Sequence, residues 1–388
     1  MILLKSRALA SSILRKQSRS AVLDKPINSP FVDPAAVEAW DAWFRLRDGN
    51  HVLELSIEAT WLRIARALVA AEPKDAEIWE ERFFDALSSW QLLLDERIIA
   101  GARAGACDCF HPDAIALLNV AAFVGDPFTP EARFDFDGLH AGARLAVRAL
   151  DDVVLQCAGE GGPNPSVRIG IMGVADALTL LGLRYDSTEG RMCAGAIART
   201  FAQGCLSGNV RMARERGARL GSGRTTAELG RLRDVPAELI AQASAFGLRH
   251  ASLTAIVSRP KLALLANNVA DALDPLNAGA RLQTIEANAI SRTIRSRGYA
   301  AILALRNPGA RTQELVAGNT IDSTTVPAQI EMRGAMQPWI DSRIDYPIST
   351  SSRLDPDSIE RWKRLAMQRQ LGRLRGFRRA RSVRSNET

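Results

Sequence analysis

No stretch of the 388 residues reaches the ~18 consecutive apolar positions that a membrane-crossing helix needs. The sequence therefore offers no helical membrane span. Cysteine is scarce. Five are present, an odd number with no secretory leader, which argues against a disulfide framework and for a reducing, cytoplasmic setting. Acidic residues are missing from the first twenty positions, which hold Lys5, Arg7, Arg15, Lys16 and Arg19. Organellar transit peptides share that pattern with disordered basic leaders. Nothing else points to import, so residues 1–34 read as a basic, proline-punctuated leader. Acid is nearly missing at the other end too. Residues 361–388 hold ten Lys or Arg and one acid, a net +9, which leaves the rest of the chain near −2 out of a total of +7. The pI of 9.5 thus describes a tail, not a basic body.

What is present suits a core, since apolar residues make up 47 % of the chain. Ala35 to Leu46 reads as a short helix with Trp40, Trp43 and Phe44 clustered. Ser56 is placed to cap a helix whose Ile57, Trp61, Ile64 and Leu68 recur on one face up to Glu72-Pro73. Asp75 to Leu94 reads as a second amphipathic helix, with Ile78, Phe83, Leu87 and Trp90 inward, and the two form a helical hairpin. Pro236–Phe246 and Ser358–Leu374 read as further helices, the latter with Ile359, Trp362, Leu365 and Ala366 on one face. Residues 221–235 read as a loop. Between these lies R-I-G-I-M-G-V-A-D-A-L-T-L-L-G-L-R-Y-D-S, Arg168 to Ser187. Gly170 and Gly173 favour close backbone approach or unusual dihedrals in a loop. A helix follows from Val174, Gly182 can end it, and Asp186-Ser187 can cap the next. Cys107-Asp108-Cys109-Phe110, with His111 and Asp113 nearby, is too cramped for a four-ligand metal site, and no metal is assigned.

Three of these segments together resemble the large subunit of ribonucleotide reductases, and most closely the adenosylcobalamin-dependent (class II) branch. Arg168–Ser187 resembles the family's glycine loop and core helix. Phe136–Asp152 resembles its helix ending in Leu-Asp. Ala202–Gly217, with Ser207, Ala213, Glu215, Arg216 and Gly217, resembles its Ser-x-x-x-Ala-x-x-Arg-Gly helix. Trp61-Leu62-Arg63-Ile64-Ala65 is similar to a helix of the class II N-terminal domain. Ile330–Ile348 is similar to a late helix and strand. Leu248–Pro275 resembles the strand, phosphate loop and helix. Where the family has Ala-Pro-Thr-Gly-Thr, however, this chain has Val257-Ser258-Arg259-Pro260-Lys261, so a backbone cradle for phosphate is not expected.

The resemblance also implies what is missing. Cys109-Phe110 falls where the family carries a redox cysteine, and Leu117–Val124 resembles a segment beyond the radical-bearing cysteine. In the family several barrel strands and an Asn-Pro-Cys-Gly-Glu string lie between them, and no such string occurs here. The second redox cysteine is expected six residues before Asn119, where Asp113 stands. Of the thiols that the family chemistry requires, Cys109 alone has a counterpart. Cys157, Cys193 and Cys205 read as small buried hydrophobes.

The expectation is a mainly α chain with a few short strands, near residues 166–172, 250–257 and 300–305. It comprises the leader (1–34), an N-terminal helical domain (35–105), a remnant of the C-terminal half of a ten-stranded α/β barrel (106–348), and a C-terminal helix with an Arg-rich tail (349–388). A closed barrel is not expected from so few strands. The leading functional reading is a catalytically silent reductase relative with a binding or regulatory role in nucleotide metabolism, pairing with a full-length reductase or with itself. No cofactor is expected unless the family activity is retained, in which case it is adenosylcobalamin. One alternative is an active class II reductase. The other is a nucleic-acid-binding protein acting through Arg369, Arg373, Arg375, Arg378, Arg379, Arg381 and Arg384. The absence of any groove-reading motif limits those arginines to weak, sequence-independent polyanion binding, and past Gly376 little is expected to hold the chain.

Overall fold

The computed structural model describes residues 30–49, 51–103, 110, 113–158, 167–219, 234–277, 281–287, 290–350, 354–372, 374 and 376–379. All that follows concerns the unit beginning at Phe31. Helices dominate the described residues, with a few short strands and no closed barrel.

The N-terminal helices are placed by their aromatic and arginine side chains. Helix α1, Pro34–Ala39, runs into a π-turn at Trp40–Phe44. Helix α2, Ile57–Leu68, buries Ile57, Trp61, Ile64 and Leu68, the stripe its spacing predicts. Trp61 meets Trp90 edge-on, with ring centroids 5.5 Å apart. Arg63 donates to Glu54 at 2.7 Å and to the carbonyls of Ile99 and Ala102 at 2.7 and 2.6 Å. Those carbonyls close the end of α4, Glu96–Gly101, where a cation is favourable. Helix α3, Ala76–Ser88, stops earlier than its sequence suggests. Trp90 takes a positive φ of 61°, and Leu92–Leu94 forms strand β1 instead of a last helical turn. Three consecutive leucines, all buried, suit a strand covered on both faces better than a one-sided helix.

Strand β1 pairs antiparallel with β2, Ile115–Asn119, and β2 pairs parallel with β3, Arg168–Met172. Every residue of β2 is buried. Helix α5, Phe136–Ala158, connects β2 to β3. After β3 come α6, Val174–Leu180, and the 29-residue α7, Thr188–Arg216, which Ser187 caps by accepting the Gly190 N–H at 2.9 Å. The chain then returns beside β3. Ile169 donates to the Leu253 carbonyl at 2.7 Å and accepts from Ala255 N–H at 2.9 Å. The strand expected near 250–257 is thus reduced to an isolated parallel bridge between Ile169 and Thr254, and β2-α5-β3 is the kind of unit a parallel α/β barrel repeats. Here the sheet ends: the N–H groups of Leu253 and Thr254, at 3.0 and 2.9 Å, go to the Asp341 carboxylate. A side chain ends the ladder, which satisfies the edge without closure.

Helices α5 and α7 lie unusually close. A Cβ on Gly204 would sit 2.7 Å from the His140 carbonyl, and one on Gly208 would sit 3.0 Å from Arg144 Cα.

Helices α8, Ala237–Phe246, and α9, Pro260–Leu265, follow. Strands β4, Arg281–Ala287, and β5, Ile290–Ser296, pair antiparallel over seven residues, a ribbon the sequence did not suggest. The strand expected at 300–305 is instead helix α10, Tyr299–Arg306, whose Ala300, Ala301 and Ala304 are buried; its alanines favour helix. Then come α11, Ala310–Gly318, and α12, Val326–Met336. Strand β6, Ile348–Thr350, precedes α13, Pro356–Gln368. Residues 377–379 are held, contrary to the expectation for the chain past Gly376. Phe377–Arg379 forms β7, parallel to β6, and Phe377 lies 5.8 Å from the Trp362 ring. One hydrophobic core runs from Trp40 through to Leu374.

Candidate functional site

The carboxyl ends of β2 and β3 are where a parallel sheet presents functional groups. β2 ends at Asn119, whose Oδ1 accepts the Ala121 N–H at 3.2 Å and starts a short 3₁₀ turn. β3 is followed by Gly173 at φ +76°, the residue that opens α6. A Cβ there would lie 2.6 Å from Asn119 Oδ1. Gly170 has a different part. It sits inside β3, not in the loop to which the sequence reading assigned it. A Cβ there would lie 2.7 Å from the Ala255 carbonyl and 2.9 Å from Leu117 Cδ2. Gly170 lets the returning chain approach β3, and Gly173 turns the backbone into the helix.

The segment Val257–Lys261 closes on itself. Asp271 accepts the Arg259 N–H at 2.7 Å and the Ser258 hydroxyl. Pro260 has no N–H to give, and Lys261 Nζ sits 4.9 Å from the Trp43 ring centroid. A carboxylate of the chain therefore holds two donors, the Arg259 N–H and the Ser258 hydroxyl, that a phosphate would otherwise take. Asp176, from the opening turn of α6, is fully buried and accepts from Ala270 N–H at 2.6 Å and Ala300 N–H at 2.9 Å. Burial pushes its carboxyl up to about 6, against the pull of those N–H groups. Asn319 works similarly: it accepts from Tyr185 N–H at 2.7 Å and donates to Thr179 Oγ1 at 2.8 Å and the Leu183 carbonyl at 2.9 Å. These side chains satisfy irregular backbone around the sheet.

The Leu150-Asp151-Asp152 end of α5 and the Glu215-Arg216-Gly217 end of α7 come together in a buried charge cluster. Arg216 lies within 2.7–2.8 Å of Glu72, Asp151 and Asp152. Arg148 binds Glu72 at 2.9 Å and Glu215 at 2.6 Å. Arg249 Nε donates to Asp151 at 2.9 Å, and His250 Nε2 is 3.1 Å from it. Burial alone raises the Asp151 carboxyl, but His250, Arg249 and Arg216 outweigh it and hold Asp151 well below the usual range. Asp152 goes the other way, raised by burial and by Glu72, with Arg216 opposing. Its oxygens make no aligned hydrogen bond despite the short distance to Arg216. The Asp151–Asp152–Arg216 part of the cluster is buried, so it ties α5, α7 and the Arg249 segment together rather than facing a ligand. Asp151, Asp152, Glu215 and Arg216 are visible in the sequence only as members of two motifs; Arg148 lies in the first of them with nothing to mark its role, and Glu72, Arg249 and His250 lie far from these residues along the chain.

The remaining sequence candidates fall apart from one another. Cys107, Cys109 and His111 lie outside the described residues, and Asp113 is exposed. Cys205 is buried, while Cys157 and Cys193 are half-buried. Burial pushes the Cys193 thiol up to about 11 and Cys205 up as well, so neither is a ready thiolate. Among the described residues no group of His, Cys, Asp and Glu could hold a metal ion. Arg369 pairs with Glu331 at the surface through Nε and Nη2 at 2.9–3.0 Å. Arg378 and Arg379 belong to β7. Arg373, Arg375, Arg381 and Arg384 lie outside the described residues. At the sheet end, the described polar groups Asn119, Ser258, Arg259 N–H and Asp271 engage the chain itself. Adenosylcobalamin would have to find its partners beyond this set.

Comparison with known proteins bears on the same segments. The family described as "Ribonucleotide reductase, barrel domain" matches residues 112–348, more than half of the chain. Two curated relatives are each named "Vitamin B12-dependent ribonucleoside-diphosphate reductase", from Mycobacterium tuberculosis strains CDC 1551 / Oshkosh and ATCC 25618 / H37Rv. Each is 34 % identical over 108 residues, a match covering 26 % of this chain and 15 % of the relative. The β2-α5-β3 core, its two glycines and the α5–α7 charge cluster all lie within the matched 112–348 segment, apart from Glu72. The chain belongs to the ribonucleotide reductase barrel-domain family.

Proposed function

We propose that this chain is a reductase-like protein of the class II type that performs no ribonucleotide reduction by itself and acts by binding, in a regulatory role linked to nucleotide metabolism. The observation that carries the reading is Asp271. It holds the Arg259 N–H and the Ser258 hydroxyl, so the loop that a substrate phosphate would occupy carries its own anion. The sequence agrees, since it contains no Asn-Pro-Cys-Gly-Glu string and has Asp113 where a thiol is expected. The proposed partner is a full-length reductase or a second copy, and the proposed setting is the cytoplasm. No helix among the described residues is long and apolar enough to cross a membrane.

The test is turnover. Purified protein given adenosylcobalamin, a dithiol and ribonucleoside diphosphates yields no deoxyribonucleotide. Product that forms with the native chain and disappears in Cys109→Ser overturns the reading in favour of an active adenosylcobalamin-dependent reductase.

A further inference from the structure

A cavity of about 790 Å³ opens between α3, α5 and α7, away from the sheet ends. Its volume is in the range of small-molecule sites. Four arginines line it, Arg82, Arg144, Arg148 and Arg211, with Asp85 as the one acidic lining residue. Two of the four are answered by carboxylates: Arg148 by Glu72 and Glu215, and Arg211 by Glu215 at 2.6 Å. Among the described residues, Arg82 and Arg144 have no ion-pair partner.

The guanidinium groups gather around one ring. The Arg148 guanidinium lies 3.7 Å from the Trp79 ring centroid, with Arg82 at 4.8 Å and Arg211 at 5.9 Å. One indole thus gathers three cations. Arg144 projects from α5 where Gly208 brings α7 against the backbone. Burial pushes the Arg144 guanidinium below its ordinary value, and the charges of Arg211 and Arg82 push it further. Cations crowded together with too few carboxylates are stabilised by an added anion, and planar guanidinium forks match phosphoryl oxygens. Ala86, Ala141, Leu145 and Met212 supply an apolar wall beside them.

We propose that this cavity is a binding site for a multiply charged phosphate group, with Arg82 and Arg144 as its primary contacts. The shared chemistry is a chain of phosphoryl oxygens. It could come from free inorganic polyphosphate or from the phosphate end of an organic molecule whose body lies on the apolar wall. The site is independent of whether the chain reduces ribonucleotides.

Titration calorimetry on the full-length protein at low salt tests this with two probes, sodium tripolyphosphate and ATP. One-to-one binding is expected, weakened at least tenfold in both Arg144→Ala and Arg82→Ala, and partly restored in Arg144→Lys. Arg82 is exposed, so Arg82→Ala keeps the test valid if the Arg144 variant folds poorly. Equal affinity for the two probes assigns recognition to the phosphates alone. Tenfold tighter ATP binding assigns the apolar wall to an organic body. Absence of binding by the native chain overturns the proposal, and so does binding that both Ala variants retain, which places the affinity outside this cavity.

Discussion

Gly173→Ala separates two costs that usually arrive together. Gly173 and Gly182 have nearly the same φ, +76° and +77°, but different surroundings. A Cβ on Gly182 meets nothing within 4 Å, whereas one on Gly173 lands 2.6 Å from Asn119 Oδ1. Gly182→Ala should therefore carry only the left-handed backbone cost, about 1 kcal/mol. Gly173→Ala carries that cost and also drives Asn119 from its cap on Ala121 N–H, a further ~1 kcal/mol or more. The expected total is about 2–3 kcal/mol. Gly170→Ala isolates the other term: its φ is not positive, but its Cβ would press on the Ala255 carbonyl at 2.7 Å, backbone that cannot swing aside. It should cost at least as much as Gly173→Ala. Urea unfolding followed by circular dichroism measures all three. Equal losses for Gly173→Ala and Gly182→Ala would refute the assigned contact with Asn119, and an unchanged Gly170→Ala would refute the close approach of the 253–255 segment to β3.

Other perturbations follow from the same geometry. Arg216→Ala leaves Glu72, Asp151 and Asp152 buried without their shared cation and should cost about 3–5 kcal/mol; Arg216→Lys should rescue little, because one ammonium cannot span three carboxylates. Burial raises the folded pKa of Asp176 from 3.8 to about 6, so protonation favours the fold. The contribution is full below pH 3.8 and lost as pH rises through about 6, a change of about 3 kcal/mol; Asp176→Asn should flatten unfolding free energy against pH across that window. Truncation after Leu365 removes buried Leu371 and Leu374 and strand β7 and should lower the melting temperature, whereas truncation after Arg379 should not. Any binding of the intact chain to DNA should be weak, sequence-independent and lost by moderate salt.

Local pattern was legible where one face of one element decided the outcome. The Ile57–Leu68 stripe, the Ser187 cap and the start of α6 at Val174 could be read from spacing, whereas the short strand near 166–172 came only with the resemblance. Leu92–Leu94 could not, because the partner strand that makes it a strand, β2, begins more than twenty residues later. At 299–306 the alanines Ala300, Ala301 and Ala304 favour a helix in place of the expected strand. β7 was hidden for the same reason as β1: a three-residue strand among arginines has no periodicity of its own, and its order comes from Ile348 and Trp362. Of the candidate site, the departure from the family at Val257–Lys261 was visible in sequence. Its physical meaning was not, since Asp271 lies beyond the helix α9 that separates it from the loop. Glu72 and the Arg249-His250 pair could not be assigned to α5 and α7, because charged residues give no signal of burial until their partners are placed.

The central claim, that this reductase-like chain lacks its own chemistry, is tested most directly by a single-turnover experiment. Protein is held in excess over labelled ribonucleoside diphosphate, with adenosylcobalamin supplied and no external reductant, so that even one oxidation of the chain's own thiols would register. The account predicts label recovered entirely as ribonucleotide. Deoxyribonucleotide formed in proportion to the protein, and lost in Cys109→Ser, would contradict it.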